Sequence, residues 1–398
     1  MSATSVIPAF RRDFWSDDVI LDPYPVYREL RDLGPAVWLE ANGCWALTQY
    51  ATVRAALLDP QTYSSASGCM MNAPMNTATK GIMLCSDDPE HLAMRRLFAK
   101  PLQPKALIEH RRRFEDLAKE RILELLARES FDAVADLAHF LPLAVVTELV
   151  GLDQYGRDNM LDWAMGIFNA FGPEDNARTN DGIALAGGVI DYVLNKLDRA
   201  NMVAGGWGEA LFLAADEGRI SEQTARMMLI DYLSPALDTT INATSAAIEL
   251  FAAHPEQWSR LRADPSLIPS AINEVIRLES PIRAFSRLVT RDHAIGDAQL
   301  HKGDRALMLY ACANRDPRHY PDPDRFDIAR GAGDHLGFGQ GTHVCAGMHL
   351  AKLEISILFE AMLPVVAGFR TGKSERRAHN TLRGLYSLET TMVGAEEL

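Results

Sequence analysis

Phe338-Gly339-Gln340-Gly341-Thr342-His343-Val344-Cys345-Ala346-Gly347 sets one cysteine where a glycine-dense loop runs into a helical stretch, Met348 to Leu363. Glycine adopts positive φ at little cost and lets backbone approach a large flat partner closely. A thiolate at a helix N-terminus is stabilised by the positive end of the dipole and by unpaired amides. A deprotonated cysteine held against a flat cofactor points to an iron porphyrin with a thiolate axial ligand. The competing reading is a free buried cysteine in a glycine turn, the common fate of a lone cysteine.

Helical patterning dominates the rest of the chain. Asp116 to Leu126 places leucine and isoleucine at helical spacing with charges opposite. Ser221 caps a run with Glu222 in its first turn, and the apolar pattern predicts one long helix from about Gln223 to Ala253. Ser270 to Leu278 carries Glu274 and Arg277 one turn apart, hence on one face. Strand signals are short: Ala36 to Leu39, Cys44 to Thr48 and Arg305 to Tyr310. The expected fold is mainly α, with a small β-sheet near the N-terminal third and short C-terminal hairpins. No linker or repeat divides the 398 residues, so one domain, 1–398, is expected.

Composition narrows the setting. A net charge of −13 argues against a nucleic-acid partner. Cys44, Cys69, Cys85, Cys312 and Cys345 form neither a C-x-x-C motif nor an even framework, which fits a reducing cytoplasm. The residues before Asp22 lack a signal-peptide core, and the most apolar stretch, Leu137 to Leu152, is interrupted by His139, Pro142 and Glu148. No membrane insertion is expected. Basic residues cluster locally at Arg95, Arg96, Lys100, Lys105, Arg111, Arg112 and Arg113, either a solvated helix face or a docking patch for an acidic electron carrier.

The cysteine loop resembles the haem-binding signature of the cytochrome P-450 superfamily. Glu274-Val275-Ile276-Arg277 resembles its Glu-x-x-Arg helix, Pro323-Asp324-Arg325-Phe326 the loop adding a second arginine, and Ala236-Leu237-Asp238-Thr239-Thr240 the oxygen-activating segment. The resemblance covers nearly the whole chain and implies a haem-thiolate monooxygenase containing haem b. Dioxygen would be the oxidant, and a [2Fe-2S] ferredoxin with its NAD(P)H-dependent reductase the electron source. It implies Cys345 as the iron ligand and His91, Arg95, Arg287 and His343 on the haem propionates. Phe338, Gly339 and Gly347 would shape the sulfur's surroundings. Glu274, Arg277 and Arg325 would form a buried structural ion network.

An Asp-Thr pair inside a helix has poor propensity and suits a cap or a function. Because the apolar pattern continues past it, Thr239 is read as hydrogen-bonding reduced dioxygen and Asp238 as relaying protons. Pro235 stands two residues before Leu237, and a kink is expected there. Within the superfamily the chain resembles the branch that oxidises substituted benzoates. That likeness makes Phe168 and Phe171 walls for a flat ring, although without it plain core packing is the better explanation of two phenylalanines three apart. The branch's carboxylate-binding positions read Ile230, Asp231, Ala78 and Gly81 here. Asp231 would repel a carboxylate unless Lys80 or Arg283 compensated, so a neutral or phenolic methoxyarene is favoured, with Pro235 and Arg283 also counted near the substrate. The alternatives are a benzoate, terpene or fatty-acid monooxygenase, a peroxygenase, or a haem-based sensor.

Overall fold

The structure, a computed structural model, describes residues 7–395. Its axis is the helix Glu222–Ala253, opened by Ser221, whose hydroxyl accepts the Thr224 N–H. Its 32 residues rise about 48 Å at 1.5 Å each. Helices Gln154–Asn169, Trp207–Asp216, Ile268–Glu279 and Met348–Met362 pack around it. One large apolar cluster joins them, with Leu229, Leu233, Leu237, Ile248 and Phe251 almost fully buried on the central helix. The helix continues through Pro235, so the loss of one N–H is absorbed without ending it.

The sheet is larger than its sequence signals suggest. Strands β1 (Ala9–Phe10), β2 (Ala36–Leu39), β3 (Cys44–Leu47), β4 (Tyr63–Ser64), β6 (Phe285–Val289) and β9 (Arg305–Met308) align in the order β1-β2-β3-β9-β6-β4. β3 pairs in parallel with β9, Trp45 opposite Ala306 and Leu47 opposite Met308. A second sheet orders β10 (Val366–Glu375), β11 (Ser387–Gly394) and β5 (Phe131–Asp132), and β7 (His293–Ile295) pairs with β8 (Ala298–Leu300). The sheet's role for the site is to present Phe285 and Arg287, on β6, to the cavity described below.

The apolar stretch departs from expectation. Ala133–Gly151 is 19 residues of helical backbone with mean hydropathy 1.6, long and apolar enough to cross a membrane by those two measures. The interruptions at His139 and Pro142 do not break it, because a widened turn, with the His139 N–H on the Val134 carbonyl, absorbs them. It packs on the central helix, and just over half of it is buried inside the protein. It reads as a core helix.

Candidate active site

Two short turns, Leu336–Phe338 and Gly341–His343, deliver Cys345 to the start of helix Met348–Met362. Gly339 and Gly341 both sit at φ +70°. A Cβ at Gly341 would stand 2.6 Å from the Leu57 carbonyl oxygen, so that position accepts only glycine without movement. The Cys345 N–H closes the loop on the Phe338 carbonyl at 2.8 Å. Cys345 is exposed on the cavity wall, and the apolar protein around that cavity pushes its thiol up; the Gly347 N–H, the Arg95 charge and the Met348 N–H oppose it. Those donors aimed at sulfur suit a ligating thiolate, which a metal would deprotonate outright.

Four basic side chains gather beside the cysteine, on the wall of one elongated cavity. The His91 and His343 rings lie 4.2 Å apart, and the Nε2 atom of each is buried without a partner among the described residues. Arg95 donates to the Val344 carbonyl at 2.5 Å, and Arg287 is 4% exposed with Nη1 on Cys69 Sγ at 3.2 Å. Burial, then Arg287, His91 and Arg95, lower His343 to about 3. Orphaned imidazole nitrogens beside two guanidinium groups make a cradle for carboxylate groups, since buried donors call for acceptors. The donor set therefore fits the two propionates and the flat apolar body of a haem.

The central helix forms the opposite wall. Met227, Ile230, Asp231, Pro235, Ala236, Thr239, Thr240 and Ala243 all line the cavity, which thus follows about 24 Å of helix. Thr239 donates its hydroxyl to the Pro235 carbonyl at 2.7 Å. Asp238, the residue before it on the helix, does not line the cavity; burial raises its carboxyl to about 7. Asp231 does line it, with Oδ2 unpartnered, and burial alone raises it to about 7 as well.

Phe168 and Phe171 also face the cavity, ring centroids 5.7 Å apart. Phe285 extends the row, 5.8 Å from Phe171. The sequence reading missed Phe285, although it directly precedes the Ser286-Arg287 pair that drew attention. It also missed the stack of Phe98 on Tyr232, 4.0 Å apart, which lines the cavity beyond Asp231.

Three expectations are corrected. Arg283 does not line the cavity, although Pro281 and Ile282 do: it is buried over the Phe14 ring and donates to the Tyr27 hydroxyl. Lys80, Ala78 and Gly81 do not line the cavity either; that loop offers Thr79 and Ile82 instead. Arg325 points to solvent, where Asp327 captures it at 2.7 Å; the second arginine on Glu274 is Arg330, at 3.0 Å. Arg277 meets Glu274 as expected, at 2.7 Å with both side chains fully buried.

Residues 209–365 match the family model for cytochrome P450. The chain is 38% identical over 394 residues to cytochrome p450 CYP199A2 of Rhodopseudomonas palustris, covering 98% of this chain and 95% of the relative. It is 29% identical to cytochrome P450-terp of a Pseudomonas species, with 88% of each chain covered. Among solved structures, CalO2 superposes with a TM-score of 0.83 at 26% identity, covering 97% and 99% of the two chains.

Proposed function

Because this chain belongs to the cytochrome P450 family and is a haem monooxygenase, we propose that it hydroxylates or O-demethylates a small neutral or phenolic arene, with Cys345 as the iron ligand. Bound haem supplies the oxidising chemistry, placing one atom of dioxygen in a substrate C–H bond and releasing the other as water, for two electrons and two protons. His91, Arg95, Arg287 and His343 hold the propionates by charge-assisted hydrogen bonds. Phe338 and Gly339 pack beside the sulfur, and Gly347 offers it an N–H. The Thr239 hydroxyl, now on the Pro235 carbonyl, turns about χ1 to pass a proton into the cavity. Asp238, its carboxyl raised by burial toward neutrality, refills it.

Charge distribution in the cavity carries the substrate reading. Its basic side chains, His91, Arg95, Arg287 and His343, are grouped round residues 343–345. Toward the phenylalanines and Asp231 the described residues place no cation, and with Arg283 and Lys80 outside the cavity nothing there neutralises a benzoate. Phe168, Phe171 and Phe285 orient a flat ring by offset and edge contacts. The free Asp231 oxygen accepts a hydrogen bond from a phenol. Oxidation of a methoxy carbon gives a hemiacetal that collapses to a phenol and formaldehyde. Matched titrations of 4-methoxyphenol and 4-methoxybenzoate, followed by the haem spin-state shift, test this. The phenol is expected to bind more tightly; tighter binding of the benzoate would overturn the reading.

Electrons are proposed to come from a ferredoxin of the [2Fe-2S] type. Arg96, Lys100, Lys105 and Arg112 are exposed and show no ion pair among the described residues. Arg111 and Arg113, by contrast, are engaged by Glu115, Glu360 and Glu148.

A further inference from the structure

Two of the buried cysteines stand close together just behind residues that line the cavity, outside the chemistry assigned above. Cys69 and Cys85 are 2% and 1% exposed, and the Cys69 thiol donates to the carbonyl of Leu84, the residue before Cys85, at 3.3 Å. Arg287 Nη1 lies 3.2 Å from Cys69 Sγ, while Cys85 Sγ is 3.5 Å from Thr79 Oγ1 and 3.9 Å from Met70 Sδ. Arg287, Thr79 and Met70 all face the cavity, so the side chains that touch the two sulfurs are themselves part of its wall. The backbone of Cys69 is fixed to β6, its carbonyl accepting the Ser286 N–H at 3.0 Å. Cys85 ends the short turn Met83–Cys85. Between them lies the segment that gives the cavity Met70, Met75, Thr79, Ile82, Met83 and Leu84.

We propose that Cys69 and Cys85 are a modification site: hydrogen peroxide joins them in a reversible disulfide that staples this segment to β6 and restricts entry to the cavity. Peroxide arises in place when dioxygen takes two electrons and two protons without reaching the substrate. The Cys69 sulfur attacks one peroxide oxygen, the O–O bond breaks, and the departing hydroxide takes up the thiol proton as water. The Cys85 sulfur then attacks the oxidised Cys69 sulfur, the S–S bond forms, and a second water leaves with the Cys85 proton. Two electrons pass from the thiols to the peroxide. The surroundings favour Cys69 as the attacking sulfur. The neighbouring Cys85 thiol holds the Cys69 thiol below the usual range against burial, with the Arg287 charge helping, whereas Cys85 is pushed up. A lowered thiol beside a resolving partner is the arrangement that oxidises selectively. Cys44 and Cys312, pushed up to about 12 by burial, lack such a partner among the described residues and serve as internal controls.

The experiment uses the haem-loaded protein with a few equivalents of hydrogen peroxide, then alkylation in denaturant and peptide mass spectrometry. A Cys69–Cys85 cross-link is expected, with Cys44 and Cys312 alkylated. Stopped-flow imidazole binding to the iron, a probe independent of the substrate, should slow at least three-fold and recover with dithiothreitol. Cys85→Ser should bind imidazole at the reduced rate before and after peroxide, and Cys69→Ser serves the same purpose if that variant folds poorly. Free thiols at both positions, a sulfinic acid on Cys69 without a cross-link, or a cross-link that leaves imidazole entry unchanged would each overturn the proposal.

Discussion

Asp231 gives the molecule a pH-dependent stability that a surface carboxylate would not. Burial raises its carboxyl from 3.8 to about 7, so between those values the folded chain keeps a proton that the unfolded chain has lost. Stability therefore falls as pH rises through that window and stays lower above it. At about 1.4 kcal/mol per unit the loss reaches about 4 kcal/mol, a ceiling because the carboxyl opens on the cavity. Asp231→Asn should resist urea better than the parent at pH 8 and equally near pH 4; the same gain at both would assign the effect to packing. Thr239 is testable through product accounting. Thr239→Ala should bind substrate and accept electrons but divert them to peroxide, with product formation lowered about 10²-fold or more. Unchanged product per NAD(P)H would remove the hydroxyl from proton delivery.

At the scale of elements, the Glu274 network separates what spacing reveals from what it hides. Glu274 and Arg277 share a helix face by simple periodicity, and the structure joins them. The loop arginine does not follow from spacing, because two candidates lie five residues apart and backbone direction decides between them. Arg330 also donates to the Pro321 and Asp322 carbonyls, which fixes its reach toward Glu274. Removing it leaves a buried carboxylate short of a partner, a loss on the order of 3 kcal/mol. Arg325→Ala should cost about 1 kcal/mol or less, as exposed pairs do. Urea denaturation of Arg330→Ala and Arg325→Ala should show that order; the reverse would restore the arginine expected from sequence. The cysteine loop and the long helix were legible because glycine placement and apolar period are local properties. The exclusion of Arg283 from the cavity was not, since it depends on Phe14 and Tyr27, some 260 residues away in the chain.

On the scale of the whole molecule, an acidic protein presents a basic island on the side that carries the cysteine loop. Helix Glu90–Phe98 reaches that loop through Arg95 on Val344, and the exposed Arg96 and Lys100 follow Arg95 within five residues of chain. Reversing Arg112 to glutamate should slow electron transfer from ferredoxin at low salt and flatten its salt dependence, because such steering is screened over about 10 Å at 0.1 M. Identical kinetics for reversals at Arg96, Lys100 and Arg112 would place the docking face elsewhere. The sheet has a different consequence, one in time. β3 finds its parallel neighbour β9 only after about 260 further residues have been made. At about 5–20 residues per second, the ribosome holds that strand's edge unpaired for roughly 13–52 s. Helical segments nearer one another close in microseconds. The N-terminal sheet thus stays incomplete until three quarters of the chain has been made, and until then the β2–β3 hairpin is an open edge that other chains can pair with.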